Sequence, residues 1–175
     1  EGPARRFVQK INRYSASFAL LTDAAMLTLG GELKRRELLS ARFGDILSYL
    51  YLASMVIKHY RDRGEPGDEW PLVEWSCRTL LYKAQEQFHG LLRNFPSPAL
   101  AVALRVLIFP RGRTYSSPAD ELGQRIVELV INPTATRERL TEGIYKTVEP
   151  GNPLGLLQQV MELAEQVKPL ERRIF

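Results

Sequence analysis

Few residues of this chain have the type and spacing that catalysis or metal binding requires. Its two histidines, His59 and His89, fall in different predicted helices, and neither has a second His or a Cys three or four residues away. The single cysteine, Cys77, lies on the apolar face of its predicted helix, where a thiol packs as an unreactive core side chain. The sequence also contains no glycine-rich phosphate loop. We therefore predict no catalytic, cofactor-binding or metal-binding residue in this chain.

Two basic clusters are the best candidates for contact with a partner. The first lies at the start of the predicted central helix and comprises Lys34, Arg35, Arg36 and Arg42. It forms either a solvated face or a surface that docks on an anionic or acidic partner. The second comprises Arg111 and Arg113, whose loop can either hold a phosphate or serve only to keep the surface soluble. Arg42 also stands one turn from Asp45, and this spacing predicts a semi-buried ion pair.

Composition places the chain among globular proteins. Of its 175 residues, 45% are hydrophobic and 25% are charged, a balance that supports a core and argues against disorder. The net charge of +4 permits contact with a phosphate-bearing ligand, an anionic membrane or an acidic partner, and requires none of them. A single cysteine excludes an internal disulfide and fits a reducing compartment. No run reaches the roughly 20 apolar residues of a membrane span.

Apolar periodicity predicts a single all-α domain over residues 1–175, a multi-helix bundle without a sheet. Residues 1–29 form the first helix, and its solvated face carries Arg5, Arg6, Lys10 and Arg13. Residues 32–64 form the long central helix, whose apolar stripe is Leu39, Phe43, Ile46, Leu50, Ala53, Ile57 and Tyr60. Residues 71–175 form five further helices, each opened by a proline that follows a residue such as Ser97 or Asn132, both good N-caps.

Three finer expectations concern burial and helix ends. Leu38, Leu52, Met55 and Val56 widen the apolar stripe, so we expect the central helix to be covered on more than one side. Residues 98–109 are apolar apart from Arg105, so we expect this helix inside the bundle. We also expect Pro169 to end the last helix.

Five sequence blocks carry a family likeness. The longest, at residues 29–54, reads LGGELKRRELLSARFGDILSYLYLAS. The others are FPRGR at 109–113, PADELG at 118–123, RLTEGIY at 139–145 and PLGLL at 153–157. In this order and at this spacing, the blocks resemble the C-terminal domain of bacterial FadE-type (long-chain) acyl-CoA dehydrogenases.

The resemblance implies a reaction for the parent enzyme rather than for this chain. Such enzymes oxidise fatty acyl-CoA to trans-2-enoyl-CoA in fatty acid β-oxidation, with a glutamate as base and FAD as hydride acceptor. In that family the base and the flavin-binding segments precede this domain, so we assign no catalytic or FAD-binding residue here. The implied partner is the catalytic domain of the same polypeptide, with a homo-oligomer interface as a second contact. Glu1 then falls where a linker from the catalytic part enters.

Two other classes of protein compete with this interpretation. A peripheral membrane or protein-interaction module would use residues 99–109 with Arg111 and Arg113, but so uniformly apolar a helix lacks the polar face of such elements. A nucleic-acid-binding domain would need clustered basic residues, whereas here they are interspersed with acidic ones, so we expect no nucleic-acid partner. We expect a cytoplasmic protein, with contact at the inner membrane as the alternative.

Overall fold

Seven α-helices and no strand make up the part of the chain that the computed structural model describes, namely residues 2–174 without the side chains of residues 165, 168 and 171–174. The helices are α1 (Arg5–Leu29), α2 (Glu37–Asp62), α3 (Trp70–Arg93), α4 (Pro98–Ile108), α5 (Asp120–Ile131), α6 (Ala135–Leu140) and α7 (Pro153–Ile174). The predicted all-α class is confirmed. None of these helices combines the length and the apolar character needed to cross a membrane.

Contacts divide the chain into two compact units, Glu1–Gln124 and Arg125–Phe175. The boundary falls inside α5, so the first unit contains α1 to α4 and the second contains α6 and α7. This division does not test the prediction of a single domain over residues 1–175, which stays a prediction.

A pair of glycines separates α1 from α2, as the sequence predicts. Gly30 has a φ of +50°, in the left-handed region that glycine enters without a steric penalty. A 3₁₀ segment, Gly30–Arg35, follows it, so the central helix begins at Glu37 rather than at residue 32. The hydroxyl of Ser40 donates a hydrogen bond to the carbonyl of Leu33 at 2.8 Å, which fixes the entry into α2.

The central helix α2 packs along α3 and also contacts α1. Six residues of its predicted apolar stripe are buried, namely Leu39, Ile46, Leu50, Ala53, Ile57 and Tyr60. The seventh, Phe43, is half-buried, and its ring meets that of Phe18 edge-on at 6.0 Å between centroids. Burying each large apolar side chain stabilises the fold by about 1.5–3 kcal/mol, so this face is the main reason that α2 holds its place.

The two expectations about broad burial of α2 and α4 are wrong. The outer face of α2 exposes Leu38, Leu47, Tyr51, Leu52 and Met55. The outer face of α4 exposes Val102, Val106 and Leu107, of which Val102 is 64% and Val106 63% exposed. Each helix packs on the core through one face only, α4 through Ala101, Leu104 and Ile108. The apolar composition of these helices therefore does not predict which of their faces are buried within the first unit.

In the second unit, Arg137 joins α6 to α7. Its Nη2 donates a hydrogen bond to Oε1 of Gln158 at 2.6 Å, and its backbone N–H donates to the hydroxyl of Thr134 at 3.1 Å. Thr134 is therefore the N-cap of α6, where the sequence pattern indicates Asn132. Pro169 lies inside α7, so the expectation that it ends the last helix is wrong. A proline inside a helix removes one backbone hydrogen bond and crowds the preceding turn, and α7 continues to Ile174 despite this cost.

Candidate functional site

The first predicted basic cluster lies at an open surface around the start of α2. Lys34, Arg35 and Arg36 are exposed, and Arg35 pairs with Glu32 at 3.5 Å. An exposed pair of this kind contributes little to stability. Arg35, Arg36 and Arg42 border one open depression of about 450 Å³. The structure thus brings three of the four basic residues together, on a surface that encloses little.

Arg42 lies against α3 rather than beside its predicted partner. Its Nε is 2.8 Å from the position that a Cβ atom would take at Gly90, so this glycine leaves the space in which the arginine packs. Nη1 of Arg42 donates a hydrogen bond to the carbonyl of Leu38 at 3.3 Å. Within the described part of the chain no ion pair joins Arg42 to Asp45. The predicted pair is therefore wrong, because packing over Gly90 directs the arginine to α3.

A buried glutamine holds the basic loop that follows α4. Gln85 of α3 is fully buried, and its side chain makes three hydrogen bonds to the loop backbone. Oε1 accepts from the amides of Thr114 and Tyr115 at 2.9 and 3.0 Å, and Nε2 donates to the carbonyl of Tyr115 at 2.9 Å. Sequence reasoning missed Gln85. The available signal was a polar residue four positions after Leu81, on the apolar face of a helix.

The two arginines of this loop have different surroundings. Arg113 forms an ion pair with Glu86 of α3 at 3.4 Å. Arg111 lines a cavity beside α1 together with Arg13, whose Nη2 donates a hydrogen bond to the carbonyl of Ile108 at 3.1 Å. The structure therefore does not bring Arg111 and Arg113 together around one phosphate.

Two neighbouring cavities run along α1 and share Lys10, Thr114 and Tyr115, and together they form what we name the α1 cleft. Their volumes are about 610 and 340 Å³. The basic residues that line them are Arg5, Arg6, Lys10, Arg13, Arg78 and Arg111. Among the described lining residues the one carboxylate is that of Glu74, which Arg78 holds at 2.7 Å. Four of these basic residues form the predicted solvated face of the first helix and are exposed, and they also border a concave, positively charged site.

Lys10 stands where the two cavities meet. Its Nζ lies 4.8 Å from the ring centroid of Tyr115 and 5.8 Å from that of Phe7, within the range of cation–π attraction. Burial lowers the pKa of Lys10, and the positive charges of Arg78 and Arg6 lower it further. Both causes disfavour the ammonium form of Lys10. A negatively charged group bound in the cleft would therefore stabilise this ammonium form.

Tyr14 forms part of the cleft wall beneath Lys10. Its ring meets those of Phe88, Phe109 and Tyr115 edge-on, with centroids 5.3, 6.1 and 5.4 Å apart. Its hydroxyl is buried and has no hydrogen-bond partner among the described residues. Burial raises the pKa of Tyr14, so the group remains a neutral hydroxyl with a hydrogen to donate. A buried hydroxyl without a hydrogen-bond partner lowers the free energy of unfolding by about 1–3 kcal/mol.

Cys77 and His89 are packed in the first unit, whereas His59 is exposed on α2. Cys77 is fully buried, and burial raises the pKa of its thiol to about 12, so the nucleophilic thiolate is not formed. The ring of His89 stacks on Phe109 at 4.4 Å, and burial, followed by the charge of Arg113, lowers the pKa of His89. No three His, Cys, Asp or Glu side chains converge as a metal site in the part of the chain that the structure describes. That the chain holds no catalytic or cofactor-binding residue stays a prediction.

Comparison with known proteins identifies the family. Residues 1–175, the whole chain, match the family described as acyl-CoA dehydrogenase, C-terminal, bacterial type. No solved structure matches the chain significantly. The family likeness that the five sequence blocks carry is thereby confirmed, because the match extends through all of them. The chain belongs to the bacterial-type C-terminal domain family of the acyl-CoA dehydrogenases.

Proposed function

We propose that this chain is the non-catalytic C-terminal domain of an FAD-dependent fatty acyl-CoA dehydrogenase, and that it packs on the catalytic part of the same polypeptide. The parent enzyme oxidises acyl-CoA to the trans-2-enoyl-CoA in fatty acid β-oxidation. Bound FAD supplies the hydride acceptor, and the base that removes the α-proton belongs to the catalytic part. The family assignment supports the reaction proposed for the parent enzyme. The ion pairs and the exposed apolar faces described below support a structural role for this domain.

The carboxylates best placed to act as a base are engaged in ion pairs. Glu74, at the α1 cleft, is held by Arg78 through a hydrogen bond of 2.8 Å to the arginine Nε. Glu86 pairs with Arg113 at 3.4 Å. An arginine that holds a carboxylate by a charge-assisted contact also fixes the position of that carboxylate. These residues therefore suit a structural role.

The outer faces of α2 and α4 are the observation that carries the packing proposal. Leu47, Tyr51 and Met55 succeed one another at four-residue spacing on the side of α2 that faces away from the core, and Val102 and Val106 do so on α4. Contiguous apolar side chains at such spacing mark a surface that a partner covers. In a C-terminal domain of a larger enzyme, the catalytic part is the nearest partner of this kind.

A pair of lysine substitutions on α4 in the full-length enzyme tests the proposal. V102K/V106K should leave the fold of the domain intact, since both side chains are largely exposed, but should place two charges in the interface. We expect limited trypsin digestion to release the domain severalfold faster from this variant. The matched control is A16K/S15K on α1, where both residues are exposed and not part of an apolar face. Equal release from the two variants would argue against packing through α4.

A second experiment addresses the flavin directly. We expect the purified 175-residue chain to show no flavin absorbance and no dehydrogenation of a fatty acyl-CoA. Stoichiometric flavin that co-purifies with the chain would show that the domain itself holds the cofactor, and the proposed division of labour would then be wrong.

Contact with a membrane surface is a second candidate function, favoured by one observation. The outer face of α4 presents Val102 and Val106 beside the exposed Arg105, so α4 has an apolar and a cationic side after all. Co-sedimentation with anionic vesicles, compared with neutral ones, separates the two candidates. We expect no pelleting of the full-length enzyme, because the catalytic part covers this face.

A further inference from the structure

We propose that the α1 cleft binds a small phosphate-bearing ligand. This site goes beyond packing on the catalytic part, and Arg111 is its one lining residue that the sequence pattern proposed as a phosphate contact. The inference depends on four properties of the cleft: its charge, its unsatisfied donor, its aromatic walls and its volume.

Charge is the first argument. Arg6, Lys10 and Arg111 make the lining of the cleft positively charged. The one carboxylate among the described lining residues, that of Glu74, is already paired with Arg78. Clustered cations in a concavity repel one another, and the lowered pKa of Lys10 reflects that repulsion together with burial. A phosphate group, which carries between one and two negative charges, compensates several of these cations at once.

The unsatisfied hydroxyl of Tyr14 is the second argument, and it is independent of charge. Tyr14 lines the smaller cavity, and its buried hydroxyl has no partner among the described residues. Native proteins rarely leave such a group unmatched unless a ligand or water completes it. Phosphate oxygens accept several hydrogen bonds, so one of them can take the hydrogen of Tyr14 while others contact Lys10.

Aromatic walls and volume define the size of the ligand. The larger cavity is bordered by three aromatic residues, Phe7, Trp70 and Tyr115. Aromatic side chains are the residue type on which a planar base or another flat group stacks. The ring centroids of Phe7 and Trp70 lie 5.9 Å apart. Cavities of about 610 and 340 Å³ fall in the range that holds small organic ligands. A mononucleotide or the headgroup of an anionic phospholipid shares the required chemistry.

Isothermal titration at low salt with inorganic pyrophosphate, AMP and phosphatidylglycerol vesicles tests the proposal on this chain. We expect saturable binding of pyrophosphate and of AMP, weakened about tenfold in Lys10→Met, because a charge-assisted hydrogen bond is lost. The matched control is Lys34→Met, which removes the same charge from the exposed 3₁₀ segment. If the soluble probes fail and vesicles bind in a Lys10-dependent manner, the source of the phosphate is a lipid headgroup.

A second variant separates binding from folding. Tyr14→Phe removes a hydroxyl that lacks a described partner, so we expect the urea stability of the chain to stay the same or rise, while pyrophosphate binding weakens about fivefold. A role of the hydroxyl confined to packing would leave pyrophosphate binding unchanged, whatever the effect on stability. The proposal is overturned if no probe binds saturably, or if Lys10→Met and Lys34→Met weaken binding equally. Neither outcome bears on the flavin and proteolysis tests of the proposed function.

Discussion

Gln85 is the side chain whose removal the structure predicts most sharply. It is fully buried in α3, and it supplies the acceptor for the Thr114 and Tyr115 amides and the donor for the Tyr115 carbonyl. Gln85→Leu keeps a similar side-chain volume but removes all three hydrogen bonds. Three backbone groups of the loop then lose their partners, and the loop keeps only side-chain contacts to the bundle, such as the Arg113–Glu86 ion pair.

The expected cost follows from those three hydrogen bonds. Each contributes roughly 1 kcal/mol net, and a buried backbone group left unmatched costs up to about 3 kcal/mol. The loop lies partly at the surface, so some of these groups can reach water after it detaches, which reduces the loss. We therefore expect Gln85→Leu to lower the free energy of unfolding by about 2–4 kcal/mol.

Urea denaturation followed by tryptophan fluorescence measures this effect. Both tryptophans, Trp70 and Trp75, lie in α3, so their signal reports on the first unit. The matched control is Gln87→Leu, two residues further along the same helix, for which we expect a change under about 0.5 kcal/mol because no described hydrogen bond is lost. Hydrogen exchange at the Thr114 and Tyr115 amides should accelerate only in Gln85→Leu. Equal stability of the two variants would refute the assignment of Gln85 as the anchor of the loop.

Two further predictions concern buried titratable groups. Burial and the charge of Arg113 lower the pKa of His89 below its ordinary value of 6.5. Above pH 6.5 the histidine is neutral in both the folded and the unfolded chain, so His89 does not reduce stability there. As the pH falls through and below 6.5, the unfolded chain binds a proton more readily than the folded one, and the free energy of unfolding decreases. His89→Gln should therefore flatten the fall in urea stability between about pH 7.5 and 5.5, and an unchanged pH dependence in this variant would contradict the placement of His89. Burial raises the pKa of Cys77 to about 12, so we expect its thiol to react with a thiol-specific reagent only in denaturing urea, and rapid reaction in buffer alone would contradict this placement.

The apolar faces were predictable from sequence because helical periodicity is a local property. Six residues of the α2 stripe are buried as expected, and the break at Gly30 follows from the backbone freedom of glycine. The start of α2 at Glu37 could not be predicted from the apolar pattern, because the 3₁₀ segment before it depends on the hydrogen bond from Ser40 to Leu33. Helix ends are set by such individual contacts more than by composition.

The site depends on contacts between residues far apart in the chain, so sequence patterns could not assemble it. Gln85 and Tyr115 are thirty residues apart, and Arg13 reaches Ile108 across ninety-five. The basic residues of α1 are exposed, as the sequence predicts, and the loop held by Gln85 lies beside them, so that they border a cleft. The same argument explains why Arg111 and Arg113, adjacent in sequence and equal in charge, have different surroundings. In this fold one buried amide determines where the loop lies, and the position of the loop determines which cations form a site.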